Sequence, residues 1–76
     1  MTHDDAIVLI EEAANADHGT VKGNEPLEQI NWDSMATLSF IALVDDRLGR
    51  ELDAKIVVKC QTVPDLLAIL LEPAGK

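Results

Sequence analysis

One cysteine, two histidines, and six basic residues against fourteen acidic ones leave this 76-residue chain poor in the groups from which catalytic centres and nucleic-acid interfaces are built. A lone thiol, Cys60, makes no intramolecular disulfide, and no cysteine or histidine pairs stand at metal-ligand spacing. The only potential helpers of Cys60 are His3 and His18, both far off in sequence, so it reads as small apolar core filler. No glycine-rich phosphate loop is present, and His18 beside Asp17 reads as a solvated loop pair. Nothing is left from which to assemble an active site, and the chain is read as a non-catalyst. No apolar run approaches the roughly 20 residues that span a bilayer, so no stable membrane insertion is expected. The formal charge of −8 at pH 7 argues against nucleic acid and anionic membrane surfaces, and for partners with basic patches. No basic segment followed by an apolar run opens the chain, which makes the cytoplasm the expected compartment.

What is present suits one small domain with one core, burying little more than about 60% of its unfolded surface, and expected to be a monomer. The acidity is uneven: residues 1–33 carry eight acids and one base, residues 34–76 six acids and five bases. Thr2 and Asp5 have the spacing of a capping box, and Ala6, Ile7, Leu9, Ile10, Ala13 and Ala14 then recur at helical spacing, predicting a first helix over about 4–15. On this reading Glu11, Glu12 and Asn15 face water. Residues 16–32 are rich in turn formers, among them Gly19, Gly23 and Pro26, and make an unusually long connection. Leu27, Ile30 and Trp32 give it the means to be pinned against the helices, with Leu27 to Ile30 adding a short helical turn. Trp32 reads first as packing and second as a residue able to touch whatever Ser34 carries.

The longest apolar run begins at Ser34 and continues to Leu48, predicting a second helix over 34–48 with Asp33 as N-cap and Gly49 as its C-terminal stop. Ser34 falls in the first turn, beside the positive end of the helix dipole, where a phosphate ester is favoured. Phe40, Val44 and Leu48, flanked by Ile41 and Leu43, form a core stripe. Met35, Leu38 and Ala42 form a second stripe that runs from Ser34 toward Asp45 and Asp46. A purely structural helix gains little from that second stripe, whereas a docking surface uses it, apolar in the middle and acidic at its foot. Asp53 can cap a short third helix over about 54–60, with Ile56, Val57 and Cys60 facing inward. Thr62 and Asp65 make a second capping box for a last helix over about 63–71, and residues 73–76 are expected to fray.

Asp33-Ser34-Met35 followed by Ala-Thr-Leu, with Asp45 and Asp46 ending the helix, resembles the Asp-Ser-Leu/Met signature of acyl carrier proteins. Thr62-Val63-Pro64-Asp65-Leu66-Leu67 resembles the Thr-Val-x-Asp-Leu opening of that family's last helix, and the distance between the two motifs fits. The resemblance covers nearly the whole chain. It implies an all-α, acyl-carrier-like four-helix bundle, with three main helices, a short third one and a long first loop. It also implies that Ser34 carries 4′-phosphopantetheine, donated by coenzyme A, with Asp33 contacting the phosphopantetheinyl transferase. The arm's thiol would hold an acyl or aminoacyl group as a thioester, and Met35, Leu38, Ala42, Asp45 and Asp46 would dock acyl-loading and acyl-transferring enzymes that carry basic patches.

The chain departs from the commonest fatty-acid carriers where Ala36 and Ser39 replace acids on this helix, where Lys55 and Lys59 replace acids later, and where Trp32 replaces a glycine before the Asp-Ser pair. These departures point to a dedicated pathway: fatty-acid-like, polyketide, nonribosomal or other. Asp-Ser-Met-Ala-Thr is also similar to the D-alanyl carrier proteins of teichoic acid modification. From a different class, an unmodified helical interaction domain whose apolar stripe binds one partner fits the same pattern.

Overall fold

Each helix of the computed structural model, which describes residues 2–71, begins where a side chain takes up the amides that the first turn leaves over. The tail expected to fray, 73–76, lies outside the described residues. Thr2 caps α1, His3–Ala13, its Oγ1 accepting from the Asp5 amide at 3.1 Å, with Asp4 and Asp5 in the first turn. The helix stops short of the expected 4–15 because Ala14 closes it and Asn15 turns left-handed at φ 57°. Asp33 caps α2, Ser34–Leu48, which ends on left-handed Gly49 as its sequence predicts. Asp53 caps α3, Ala54–Val58, accepting from the Lys55 amide at 2.9 Å. Ahead of α4, Val63–Leu71, the box is reciprocal: the Asp65 amide donates to Thr62 Oγ1 at 3.3 Å and the Thr62 amide to Asp65 Oδ2 at 3.2 Å. The Gln61 amide, which donates to the same Oδ2 at 3.0 Å, and after it the Thr62 amide and hydroxyl hold the Asp65 carboxyl below its ordinary range.

The third helix is shorter than the predicted 54–60: it closes at Val58, and Cys60 lies past its end, its amide donating to the Val57 carbonyl at 3.0 Å. A helix of five residues turns only one of its Ile-Val-Val side chains inward. Val57 is that residue and is 1% exposed, whereas Ile56, expected to face inward, is 54% exposed and Val58 70%. Among the described residues four helices and no strand are formed, and no helix is long and apolar enough to cross a membrane. The radius of gyration, 11.0 Å, is that of a folded chain of this length, about 11 Å.

The core joins Leu9 and Ile10 of α1, Phe40 and Val44 of α2, Val57 of α3 and Val63, Leu66 and Leu70 of α4. Burying each such side chain contributes about 1.5–3 kcal/mol. Val21, Leu27 and Ile30 join that core from the long connection, which is irregular in backbone and yet packed. Within it Leu27–Ile30 forms a 3-10 turn, and Pro26 makes an isolated bridge with Thr62: the Leu27 amide donates to the Gln61 carbonyl at 2.9 Å and the Val63 amide to the Glu25 carbonyl at 2.8 Å.

Two acids tie this loop down, and one of them overturns the simple amphipathic reading of α1. Glu11 does not face water; it is 2% exposed, and its Oε2 accepts from the Gly19 amide at 2.8 Å and the Val21 amide at 3.0 Å. Helical periodicity counts only apolar partners, and the groups that hold Glu11 are backbone amides eight and ten residues further on. His18 is solvated, as expected, and its Nδ1 stands 3.4 Å from Glu11 Oε1. Glu25, also buried, accepts from the amides of Lys22, Gly23 and Asn24. Glu12 does stay at the surface, in a two-pronged ion pair with Arg47 that crosses from α1 to α2.

Candidate functional site

The amino end of α2 is assembled from the last residues of the loop. Asn31 takes a left-handed turn at φ 58° and the Trp32 amide donates to the Leu27 carbonyl at 3.1 Å, which brings the chain around to α2. The Trp32 indole Nε1 donates to Thr37 Oγ1 at 3.1 Å, and its ring meets Phe40 edge-on, with centroids 5.6 Å apart at 72°. Trp32 is therefore clamped at both ends, by a hydrogen bond one turn into α2 and by an aromatic contact at the core. Thr37 is the residue that the sequence did not single out: buried, and five places beyond Trp32, it matches no helix-face pattern because Trp32 lies outside the helix.

Asp33 is extended, at φ −117° and ψ −170°, and its Oδ1 accepts from the Ala36 amide at 2.9 Å. This is the predicted cap. Ser34 follows as the first residue of α2 and is exposed. A helix start leaves its first amides without intrahelical acceptors and carries the positive end of the dipole, which favours an anionic group on this serine even with the Asp33 carboxylate beside it.

Beside Ser34 a cleft of about 300 Å³ opens between α2, α3 and the loop, walled by Leu27, Trp32, Thr37, Val58 and Cys60. The Cys60 thiol is pushed upward by burial and then by the charge of Asp65, away from the thiolate form a nucleophile needs. Its Sγ lies 3.6 Å from the Ile56 carbonyl, and it serves as a wall of the cleft.

Along the outer side of α2 Met35 is 69% exposed and Leu38 61%, with Ala42, Asp45 and Asp46 exposed below them. These five predicted residues share one face. Ala36, in contrast, is buried, so an acid at that position would be taken out of water; Ser39 is exposed. Near the foot of the helix a groove of about 510 Å³ runs past Ile41 and Leu52, edged by Asp45, Glu51 and Asp53. The two arginines of this region point elsewhere: Arg47 is held by Glu12, and Arg50 Nη1 reaches the Leu70 carbonyl at 3.5 Å. Asp45, Glu51 and Asp53 are exposed at the foot of α2, while the charge of Asp46 also acts on Arg47. On α3 and at its C-terminal cap, Lys55 and Lys59 are exposed alongside Ile56 and Val58, so the neighbouring edge is basic and apolar. Family models, curated proteins and solved structures were all compared with this chain, and none matches it.

Proposed function

We propose that this chain is an acyl carrier: Ser34 is esterified with 4′-phosphopantetheine from coenzyme A, and α2 presents the loaded arm to partner enzymes. The observation that carries the reading is an exposed serine at the first position of a helix, directly after a carboxylate cap, with an apolar-walled cleft on one side and an exposed apolar stripe ending in acids on the other. These residues fit the group, since a phosphodiester is favoured where helix amides are free and its organic tail is compatible with the walls of Leu27, Trp32 and Val58. When bound, the arm supplies a thiol that holds an acyl or aminoacyl group as a thioester.

The chain's own part is positional. Asp33 holds the loop–helix junction, Trp32 and Thr37 brace it, and Met35, Leu38, Ala42, Asp45 and Asp46 form the surface on which a transferase and the acyl-loading and acyl-transferring enzymes dock. Basic patches on those enzymes would be steered by the exposed acids at the foot. The absence of an acid at exposed Ser39, with Met35 and Leu38 beside it, leaves the upper half of the face neutral, which suits enzymes of a dedicated pathway, aminoacyl-loading ones included.

Incubation with coenzyme A and a phosphopantetheinyl transferase tests the reading. The wild type gains the mass of one arm and Ser34→Ala gains none. An unmodified wild type would leave an acidic helical domain whose apolar stripe binds a partner directly.

A further inference from the structure

Glu11 carries a buried carboxylate that the function above does not use, one of whose oxygens, Oε1, has no hydrogen-bond partner and lies 3.4 Å from His18 Nδ1. Its other oxygen, Oε2, takes both the Gly19 and the Val21 amide. From there the loop is fixed at several further points before it reaches α2. Val21 is packed in the core, Glu25 gathers the next three amides, the Leu27 amide is tied to Gln61, the Trp32 amide to the Leu27 carbonyl, and the Trp32 indole to Thr37 inside α2. The long loop is thus moored at its start by one side chain of α1 and at its end by the brace beside Ser34.

We infer that Glu11 is a positioning residue for Ser34, holding the loop whose far end sets the Trp32–Asp33 junction, and that its hydrogen-bond acceptance, not its charge, does this. The inference rests on the carrier reading for its functional readout alone. Because both amides share Oε2, a glutamine whose single oxygen takes that place keeps both bonds, and its NH₂ then faces His18 Nδ1, which in the neutral ring can accept. A leucine keeps the shape and leaves two amides without an acceptor, one of them buried.

The experiment compares Glu11→Gln and Glu11→Leu with the wild type, using amide hydrogen exchange, far-ultraviolet circular dichroism, and kcat/KM for modification by a phosphopantetheinyl transferase with coenzyme A. Glu11→Gln should match the wild type in all three. Glu11→Leu should keep its helicity, exchange about tenfold faster at Gly19, Val21 and Trp32, and be modified with about tenfold lower kcat/KM, the factor that corresponds to the loss of one buried acceptor. Equal defects in the two variants, acceleration confined to Gly19 and Val21, or loss of helicity in Glu11→Leu would each overturn the inference. If the wild type itself takes no arm, the carrier reading fails, and the exchange at Trp32 still decides the role of Glu11.

Discussion

The loop over residues 14–33 and helix α2 reverse the usual division of labour between irregular and regular backbone. The loop is irregular, yet Val21, Leu27 and Ile30 are in the core and two of its structural ties are buried carboxylates. The helix is regular and well capped, yet it leaves Met35 and Leu38 more than half exposed. Fixing the backbone of a residue costs about 1–2 kcal/mol, so a long ordered loop has to be offset by burial and by satisfied amides. A helix satisfies its own amides, and one face of it can be left open. The difference teaches that the open face of α2 is available for docking because the loop, and not that face, completes the core beside it.

The comparison breaks most sharply at the inner side of α2. Phe40→Ala removes a fully buried ring together with its contact to Trp32 and should lower stability by about 3–5 kcal/mol in urea denaturation, against little change for the outer side. Next in size is the loop's own acid. The Lys22 amide foremost, with those of Gly23 and Asn24, outweighs the cost of burial and holds the Glu25 carboxyl below the ordinary value of 4.5. A carboxyl lowered by folding adds stability that is fully present above its unfolded value and is lost as pH falls through the folded one. The wild type should therefore lose stability on acidification below about pH 4.5, and Glu25→Gln should lose that part of the acid dependence. Glu25→Gln should also be less stable at neutral pH by about 1–3 kcal/mol. In contrast to Glu11, Glu25 uses both oxygens, Oε2 for Lys22 and Oε1 for Gly23 and Asn24, and an amide cannot accept at both.

Smaller effects sharpen the contrast. Asp33→Ala removes the cap of α2 and should cost about 1 kcal/mol in thermal or urea unfolding. Smallest for stability is the outer face: Leu38→Ala, or Asp45→Lys with Asp46→Lys, should change unfolding free energy by no more than about 0.5 kcal/mol. The same changes should slow transfer to or from a partner enzyme about tenfold, and unchanged turnover would count against the face assigned here.

Much of this was legible in the sequence wherever the signal is local. Asp33 before Ser34, Gly49 after Leu48, and Thr62 three places before Asp65 are caps whose partners lie within one turn, and each is found where its spacing puts it. The inner and outer stripes of α2 were equally readable, since Phe40 and Val44 are buried while Met35 and Leu38 are exposed. What escaped depends on partners that no periodicity links. Glu11 reads as a solvated acid until the loop returns to place two amides on it, and Thr37 has no assigned role until Trp32 swings beside it. Ile56 reads as an inward residue for as long as its helix is taken to reach 60; with the helix closed at Val58, only Val57 faces the core.

The central claim concerns a single oxygen atom. Fragment mass spectrometry of the wild-type chain after reaction with coenzyme A and a phosphopantetheinyl transferase tests it most directly. One phosphopantetheine located on Ser34 is the predicted result. A chain that gains no mass, or that carries the arm on another residue, would contradict it.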